Sequence, residues 1–364
     1  MHTSRSTSVS GTSASRPSAA EMSRRGLLAA GGTVGLGALL AACGGSSGSG
    51  GSDAAGPKGS GTGTATTPAG PWTFTDDRKQ QVKLDRTPAH LVAYVGAAAA
   101  LHDYGIECAG VFGPTKLKDG SADAQAGDLD VAKVTVIGNT WGEFSIEKYA
   151  ALSPGLLISH MYQAPTLWYV PDESAKKILA IAPSVGVDVA GVPLTTPLRR
   201  YAELATSLGA DMASSANAAQ KTRFEKASAD LRAAVKAHPG VKVMACSGAA
   251  DAFYVSTPSS AADLTYYRSL GVDFIVPNKV QGGFFETLSW ENADKYRADV
   301  MMLDNRSATL QPKDLAGKPT WARLPAVKAG QVLGWPSEPI FSYGKCAARI
   351  EALTQAITSA KKVS

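Results

Sequence analysis

The sequence predicts an α/β fold of two lobes joined by a long helical connector, and three observations carry that reading. Short runs of β-branched and aromatic residues alternate with stretches of helical spacing from Trp72 onward, the pattern of a mainly parallel sheet covered by helices. Between residues 196 and 238 the alternation gives way to a long helical segment. At 364 residues the chain is also long enough to split into more than one compact unit.

The N-terminal segment is of a different kind. Arg24 and Arg25 precede a Gly-containing apolar stretch, Gly26 to Ala42, which is too short for a comfortable membrane span of about 20 apolar residues. A basic start, an apolar middle and a small-residue end are the layout of a secretory signal. Ser23-Arg24-Arg25-Gly26-Leu27-Leu28 resembles a twin-arginine export signal, and Leu40-Ala41-Ala42-Cys43 resembles a bacterial lipobox. Residues 1–42 are therefore expected to be removed, leaving Cys43 as the lipidated first residue. Residues 43–70 are almost all Gly, Ser, Thr, Ala and Pro, a composition that buries too little apolar surface to order itself, and they read as a tether. Gly44-Gly45-Ser46-Ser47-Gly48 matches a nucleophile-elbow pattern, but it follows no strand and precedes no helix, so it reads as low complexity.

The N-terminal lobe, residues 71–195, opens with "WTFTDDRKQQVKL", two short strands around a polar turn. "HLVAYV" reads as a buried strand, followed by a helix near Gly96 to Tyr104, strands "AGVF" and "VTVI", a helix from Ser145 to Leu152, strand "LLIS" and a helix from Pro171 to Ile181. In the connector, 196–238, Leu198, Tyr201, Leu204, Ala205 and Leu208 share one helical face, and Phe224, Ala227, Leu231 and Val235 share another. Gly209 between them either kinks a helix or ends the first. The C-terminal lobe, 239–364, reads as strands "VKVMACS" and "AFYVS", a helix near Asp263 to Leu270, strand "DFIVP", a helix near Ser289 to Tyr296, strands "DVMMLD" and "QVLGW", and a terminal helix from Lys345 to Lys361.

Composition excludes several functions. The net charge of +5 falls to +2 once the four arginines and one acid of the signal are gone, a near-neutral balance that gives no support to nucleic-acid binding. Cys108, Cys246 and Cys346 show no metal-type clustering; they read as small buried apolar residues, with one disulfide as the alternative. His90, His102, His160 and His238 are scattered, so no protein metal site is expected. No Walker loop, no GxGxxG after a strand and no nucleophile paired with a base is present, which argues against an enzyme.

Four segments carry a family resemblance. "FTDDRKQQVKLDRTPAHLVAYVGAAAALHDYGI", "FSIEKYAALSPGLLIS", "LSWENADKYRADVMML" and "WARLPAVKAGQVLGW" resemble, in that order, the substrate-binding lipoproteins of ABC importers for iron-siderophores, haem and cobalamin. Lys79 stands where that family usually has glycine, and Gly155 where it has aspartate. The resemblance implies two Rossmann-like lobes with the ligand cleft between them and little closure. It also implies a monomer anchored by lipid to the outer face of the cytoplasmic membrane, partnered by a separate permease and ATPase, with no cofactor of its own. The expected cargo is a ferric siderophore, hydroxamate favoured; cobalamin or haem is the alternative within the family, and a secreted hydrolase the alternative outside it. By the family pattern, Glu147 and Glu291 hold equivalent helix positions on the two lobes and would dock on permease arginines, although an acid early in a helix also complements its dipole.

Ligands of open α/β sheets sit beyond the carboxyl ends of the strands. The residues there are Tyr94, Asn139 with Trp141, His160 to Gln163 including Tyr162, Tyr254, Asp304 to Arg306, and Trp335, with Phe284, Phe285 and Tyr343 in nearby loops. Aromatic rings and a guanidinium suit a bulky chelate, because Arg306 can donate to oxygens that already coordinate iron. Tyr94, Trp141, His160, Tyr162, Tyr254, Arg306, Trp335 and Tyr343 are the candidate ligand-binding set, whereas Arg199 and Arg200 are expected to be solvated.

Overall fold

The computed structural model describes residues 70–364; the signal at 1–42, Cys43 and the tether up to residue 69 lie outside the described residues. The fold opens on an antiparallel hairpin of β1 (Trp72–Thr75) and β2 (Gln81–Leu84). Trp72 and Phe74 turn inward from β1 while Thr73 and Thr75 face out, the two-residue alternation of a half-buried strand.

The first lobe contains β3 (Leu91–Tyr94), α1 (Val95–His102), β4 (Gly110–Phe112), β5 (Thr135–Gly138), α2 (Ile146–Ala151), β6 (Leu156–Met161), α3 (Asp172–Leu179) and β7 (Ser184–Asp188). Its sheet has the order β5-β4-β3-β6-β7, and every pairing is parallel. The order reverses between β3 and β6, so a crevice opens beyond the carboxyl ends of those two strands. Helix α1, built largely of alanine, is buried along Val95–Leu101, and its small side chains let it lie close to the sheet.

The connector is two helices, α4 (Thr195–Ser207) and α5 (Ser215–Ala237). Gly209, at φ 106°, takes a left-handed conformation that ends the first rather than kinking a continuous rod. Helix α4 packs on the first lobe, whereas the 23-residue α5, about 35 Å long, packs along α10 (Tyr343–Ser359). Arg200 corrects the expectation of a solvated side chain: it pairs with Asp77 at 2.7 Å, donates to the Thr75 carbonyl and lies over the Phe74 ring. Arg199 does face solvent, paired only with Glu203 along the helix.

The second lobe has β8 (Lys242–Gly248), β9 (Ala252–Ser256), α6 (Ala262–Ser269), β10 (Asp273–Phe274), β11 (Phe285–Ser289), β12 (Val300–Asp304), the short helices α7 (Pro312–Leu315), α8 (Pro319–Arg323) and α9 (Pro325–Lys328), and β13 (Val332–Trp335). Its sheet is mixed: β8, β12 and β13 run parallel, but β9 pairs antiparallel with both β8 and β11, giving the order β11-β9-β8-β12-β13 with β10 beside β8. The helix expected near Ser289 to Tyr296 is instead the end of β11 followed by a single 3-10 turn at Trp290–Asn292. Trp290 is drawn into the core, and Lys295 and Tyr296 turn back onto Glu286, so the chain closes on itself instead of extending a helix.

After β13 the chain crosses back to the first lobe. Ile340 and Phe341 are buried, with Phe341 against His160 and Tyr201, and Ser342 caps α10 while donating to Asp103. Cys108, Cys246 and Cys346 are buried free thiols, and burial pushes the Cys108 thiol up to about 12. Among the described residues, no helix is long and apolar enough to cross a membrane.

Candidate functional site

At the crevice of the first lobe, β3 ends on Tyr94 and β6 runs out through His160 and Met161 into Tyr162. Opposite them, β12 ends on Asp304, and Arg306 lies two residues beyond it. The returning segment brings Glu338 between the two walls. Its carboxylate accepts from Tyr94 Oη at 2.5 Å, Gln125 Nε2 at 2.9 Å and Trp168 Nε1 at 3.2 Å on the first lobe, and from Arg306 on the second. Arg306 also holds Asp304 through Nε and, at 2.8 Å, through Nη2, while Ser337 Oγ donates to the same carboxylate. A second polar bridge joins the lobes where Ser307 Oγ donates to Asp123 Oδ2 at 2.5 Å. A narrow crevice beside Glu338 is lined by Gln125, Asn305, Arg306, Lys345 and Arg349.

The electrostatics derive from this packing. Burial works against the Arg306 charge, but Glu338 and Asp304 outweigh it and raise the pKa, so the guanidinium stays charged. Burial and then the Glu338 charge push the Tyr94 phenol well up, so it remains a donor. Three of the five Arg306 N–H groups are committed to these carboxylates, which leaves two for a guest.

Beside this polar centre stands an aromatic wall. Trp141 is 49% exposed and meets Trp168 and Tyr169 edge-on, with ring centroids 4.8 and 5.0 Å apart. Tyr162 packs on Trp168, and Tyr169 stacks on Tyr94. Tyr169 holds φ 62°, unfavourable for a bulky side chain, so the surrounding packing fixes its ring in place. Gly113, at φ 97°, lies beneath: a Cβ there would come within 2.7 Å of the Tyr94 ring.

The structure thus brings together Tyr94, Trp141, Tyr162 and Arg306 from the candidate set. His160 lies behind them, fully buried among Tyr94, Tyr162, Tyr201 and Phe341, with both ring nitrogens unpartnered; burial pulls its pKa down to about 3, so it is neutral. Trp335 is buried at the end of β13 and donates its indole N–H to Asp263 at 2.7 Å, turned from the crevice. Tyr254 is mid-strand in β9, against Phe285, because that strand is antiparallel and presents no carboxyl end to the cleft. Tyr343 begins α10 and packs on Phe224 and Tyr104. Asn139 serves the scaffold, accepting from the N–H groups of Thr115 and Lys116. Glu147 is exposed in the first turn of α2, and Glu291 is exposed in the 3-10 turn.

Glu338, Gln125, Trp168, Tyr169 and Asp123 are site residues that the strand-end reading passes over. The signal was present for two of the segments: "WPSEPIF" places a carboxylate between prolines just past a strand, and "LWYVP" places two aromatics before a proline. Among the described residues, no group of three or more His, Cys, Asp or Glu is arranged to hold a metal ion.

Two α/β lobes with a polar and aromatic crevice between them define a binding protein of the bilobed class. Residues 92–339 match the family model described as periplasmic binding protein, and the chain belongs to that family, as the sequence resemblance implied. Among solved structures it is similar to DesE, a ferric-siderophore receptor protein from Streptomyces coelicolor, at 53% identity and TM-score 0.79, covering 81% of this chain and 100% of that one. It shares its fold with the petrobactin-binding protein YclQ from Bacillus subtilis, at 17% identity and TM-score 0.61, covering 79% and 99%. It likewise shares it with the catecholate-siderophore binding protein VctP from Vibrio cholerae, at 15% identity and TM-score 0.57, again covering 79% and 99%. No curated protein matches the chain.

Proposed function

We propose that this chain is a receptor, not an enzyme, which captures a ferric siderophore of the hydroxamate type between its lobes and delivers it to an ABC permease driven by a separate ATPase. The observation that carries the reading is the crevice itself, where Arg306 keeps two N–H donors beside the ring wall of Trp141, Trp168 and Tyr169. Such a wall offers rigid apolar contact to a bulky chelate, and the donors suit oxygens already bound to iron. The similarity to a ferric-siderophore receptor supports it. The family resemblance and the lipobox support a monomeric receptor held by lipid on Cys43 at the outer face of the cytoplasmic membrane, with a flexible tether reaching roughly 30 Å.

Titrating purified protein with ferric hydroxamates and ferric catecholates tests the reading through tryptophan fluorescence. Saturable quenching by hydroxamates is expected, and binding to neither class would reject it. The exposed Glu147 and Glu291 are the proposed permease contacts. Reversing both charges should abolish uptake in cells with ligand affinity unchanged; uptake that survives would remove that assignment.

A further inference from the structure

The charged groups around the crevice bear on the net charge of the cargo, an inference that rests on the receptor reading. Three cations line the crevice: Arg306, Lys345 and Arg349. Two of them are held by carboxylates of the chain. Arg306 holds Asp304 and Glu338, and Lys345 pairs with Asp128 at 2.7 Å. Asp123, only 2% exposed, is bonded by Ser307 and the Gln125 N–H rather than by a cation. Around Arg306, then, three buried carboxylates, Asp304, Glu338 and Asp123, stand against one cation, while Lys345 is neutralised by Asp128.

Glu338 does more than add charge. Its two oxygens take up N–H or O–H groups of Arg306, Tyr94, Gln125 and Trp168, the donors that an anionic chelate oxygen would need from both lobes at once. A guest that displaced it would leave a buried carboxylate without partners, and a guest that entered beside it would meet its charge at short range. The two N–H groups left on Arg306 can serve a neutral chelate, which needs hydrogen bonds but no counter-charge.

We propose that Glu338 is a specificity-determining residue that restricts the cleft to ferric chelates of neutral or positive net charge, by occupying the donors of both lobes and leaving the polar centre around Arg306 with excess negative charge. Ferric iron bound by three hydroxamates has a neutral core, so one linear trihydroxamate supplies the probes: its ferric complex with the terminal amine free is cationic, acetylated neutral and succinylated anionic. The wild-type protein should bind the cationic and neutral complexes more tightly than the anionic one, by on the order of tenfold per unit of charge. Glu338→Gln should shift the anionic-to-cationic affinity ratio by a similar factor toward the anion, and Asp123→Asn should shift it the same way by less. Equal binding of the three complexes by wild type, a preference for the anion, or an unchanged ratio in a Glu338→Gln protein with native circular dichroism would each overturn the proposal while leaving the receptor reading intact. If Glu338→Gln does not fold, the wild-type ranking and Asp123→Asn decide it. Wild type that binds none of the three would bring down the receptor reading together with this inference.

Discussion

Two buried carboxylates of this protein use the same chemistry for different ends. Glu286, in the second lobe, accepts from Lys295, from Tyr296 Oη at 2.7 Å and from the N–H groups of Asn278 and Lys279, all within 18 residues of chain. Glu338 likewise gathers a cation, a tyrosine and other donors, but its partners lie as far as 244 residues away and on both lobes. A carboxylate with a cation and a phenol is thus not in itself a functional site. Glu286 closes a loop, whereas Glu338 stands where two lobes meet and, on the receptor reading, a guest would enter. A third carboxylate, Asp263, is held by the Trp335 indole and the Leu264 N–H, and there burial dominates.

The largest expected effect separates the first two. Arg306→Ala strands Asp304 and Glu338 without their cation, which should cost about 3–5 kcal/mol of stability and, on the receptor reading, remove chelate binding; urea unfolding and fluorescence titration measure the two. A variant as stable as wild type would mean that the pair contributes little.

Glu286→Gln should cost about 1.5–3 kcal/mol at neutral pH and leave chelate affinity unchanged. Burial opposes the Glu286 charge, but Lys295, Tyr296 and the loop N–H groups outweigh it and hold the carboxyl down to about 2. A depressed pKa gives stability that is complete above the ordinary carboxylate value and is lost as pH falls toward 2. Unfolding curves of wild type and variant should therefore converge in acid; a gap that persists there would contradict the account.

Asp263 has the opposite sign. Its raised pKa means stability that is complete below the ordinary aspartate value and is lost as pH rises through about 6. Asp263→Asn stays neutral and keeps an acceptor for the indole, so it should be more stable than wild type at pH 7, by about 3 kcal/mol, and this gain should vanish near pH 4. Parallel curves across that range would sink the assignment.

Trp141→Ala gives the smallest effect on folding, within about 0.5 kcal/mol, because nearly half of the ring faces solvent. On the receptor reading it should still weaken chelate binding about tenfold and reduce the quench. Unchanged affinity would take Trp141 out of the site.

Much of the first lobe was legible in the chain, because its parallel strands are continuous apolar runs such as Leu91–Tyr94 and Leu156–Met161. β7 was harder to read, since Gly186 interrupts it where a Cβ would meet Met161 Sδ at 2.7 Å. In the second lobe, Phe285–Ser289 alternates buried and exposed residues as an edge strand does, and its pairing with β9 depends on a turn that local spacing does not announce. The site divided in the same way. Tyr94, Tyr162 and Arg306 sit at or just past strand ends and could be named from order alone, but Trp335 ends a strand too and turns into the core toward Asp263.

The sequence by itself determined the alternation of strands and helices, the helical connector and the family, because periodicity and motif order are local properties of the chain. Only the tertiary structure decided which strand ends share a crevice, which aromatics line it and which are packed away. It also decided that Glu338, unremarkable between two prolines, faces Tyr94 and Arg306. Partners 244 and 32 residues apart are brought together by the packing of two lobes, and no pattern along the chain encodes that distance.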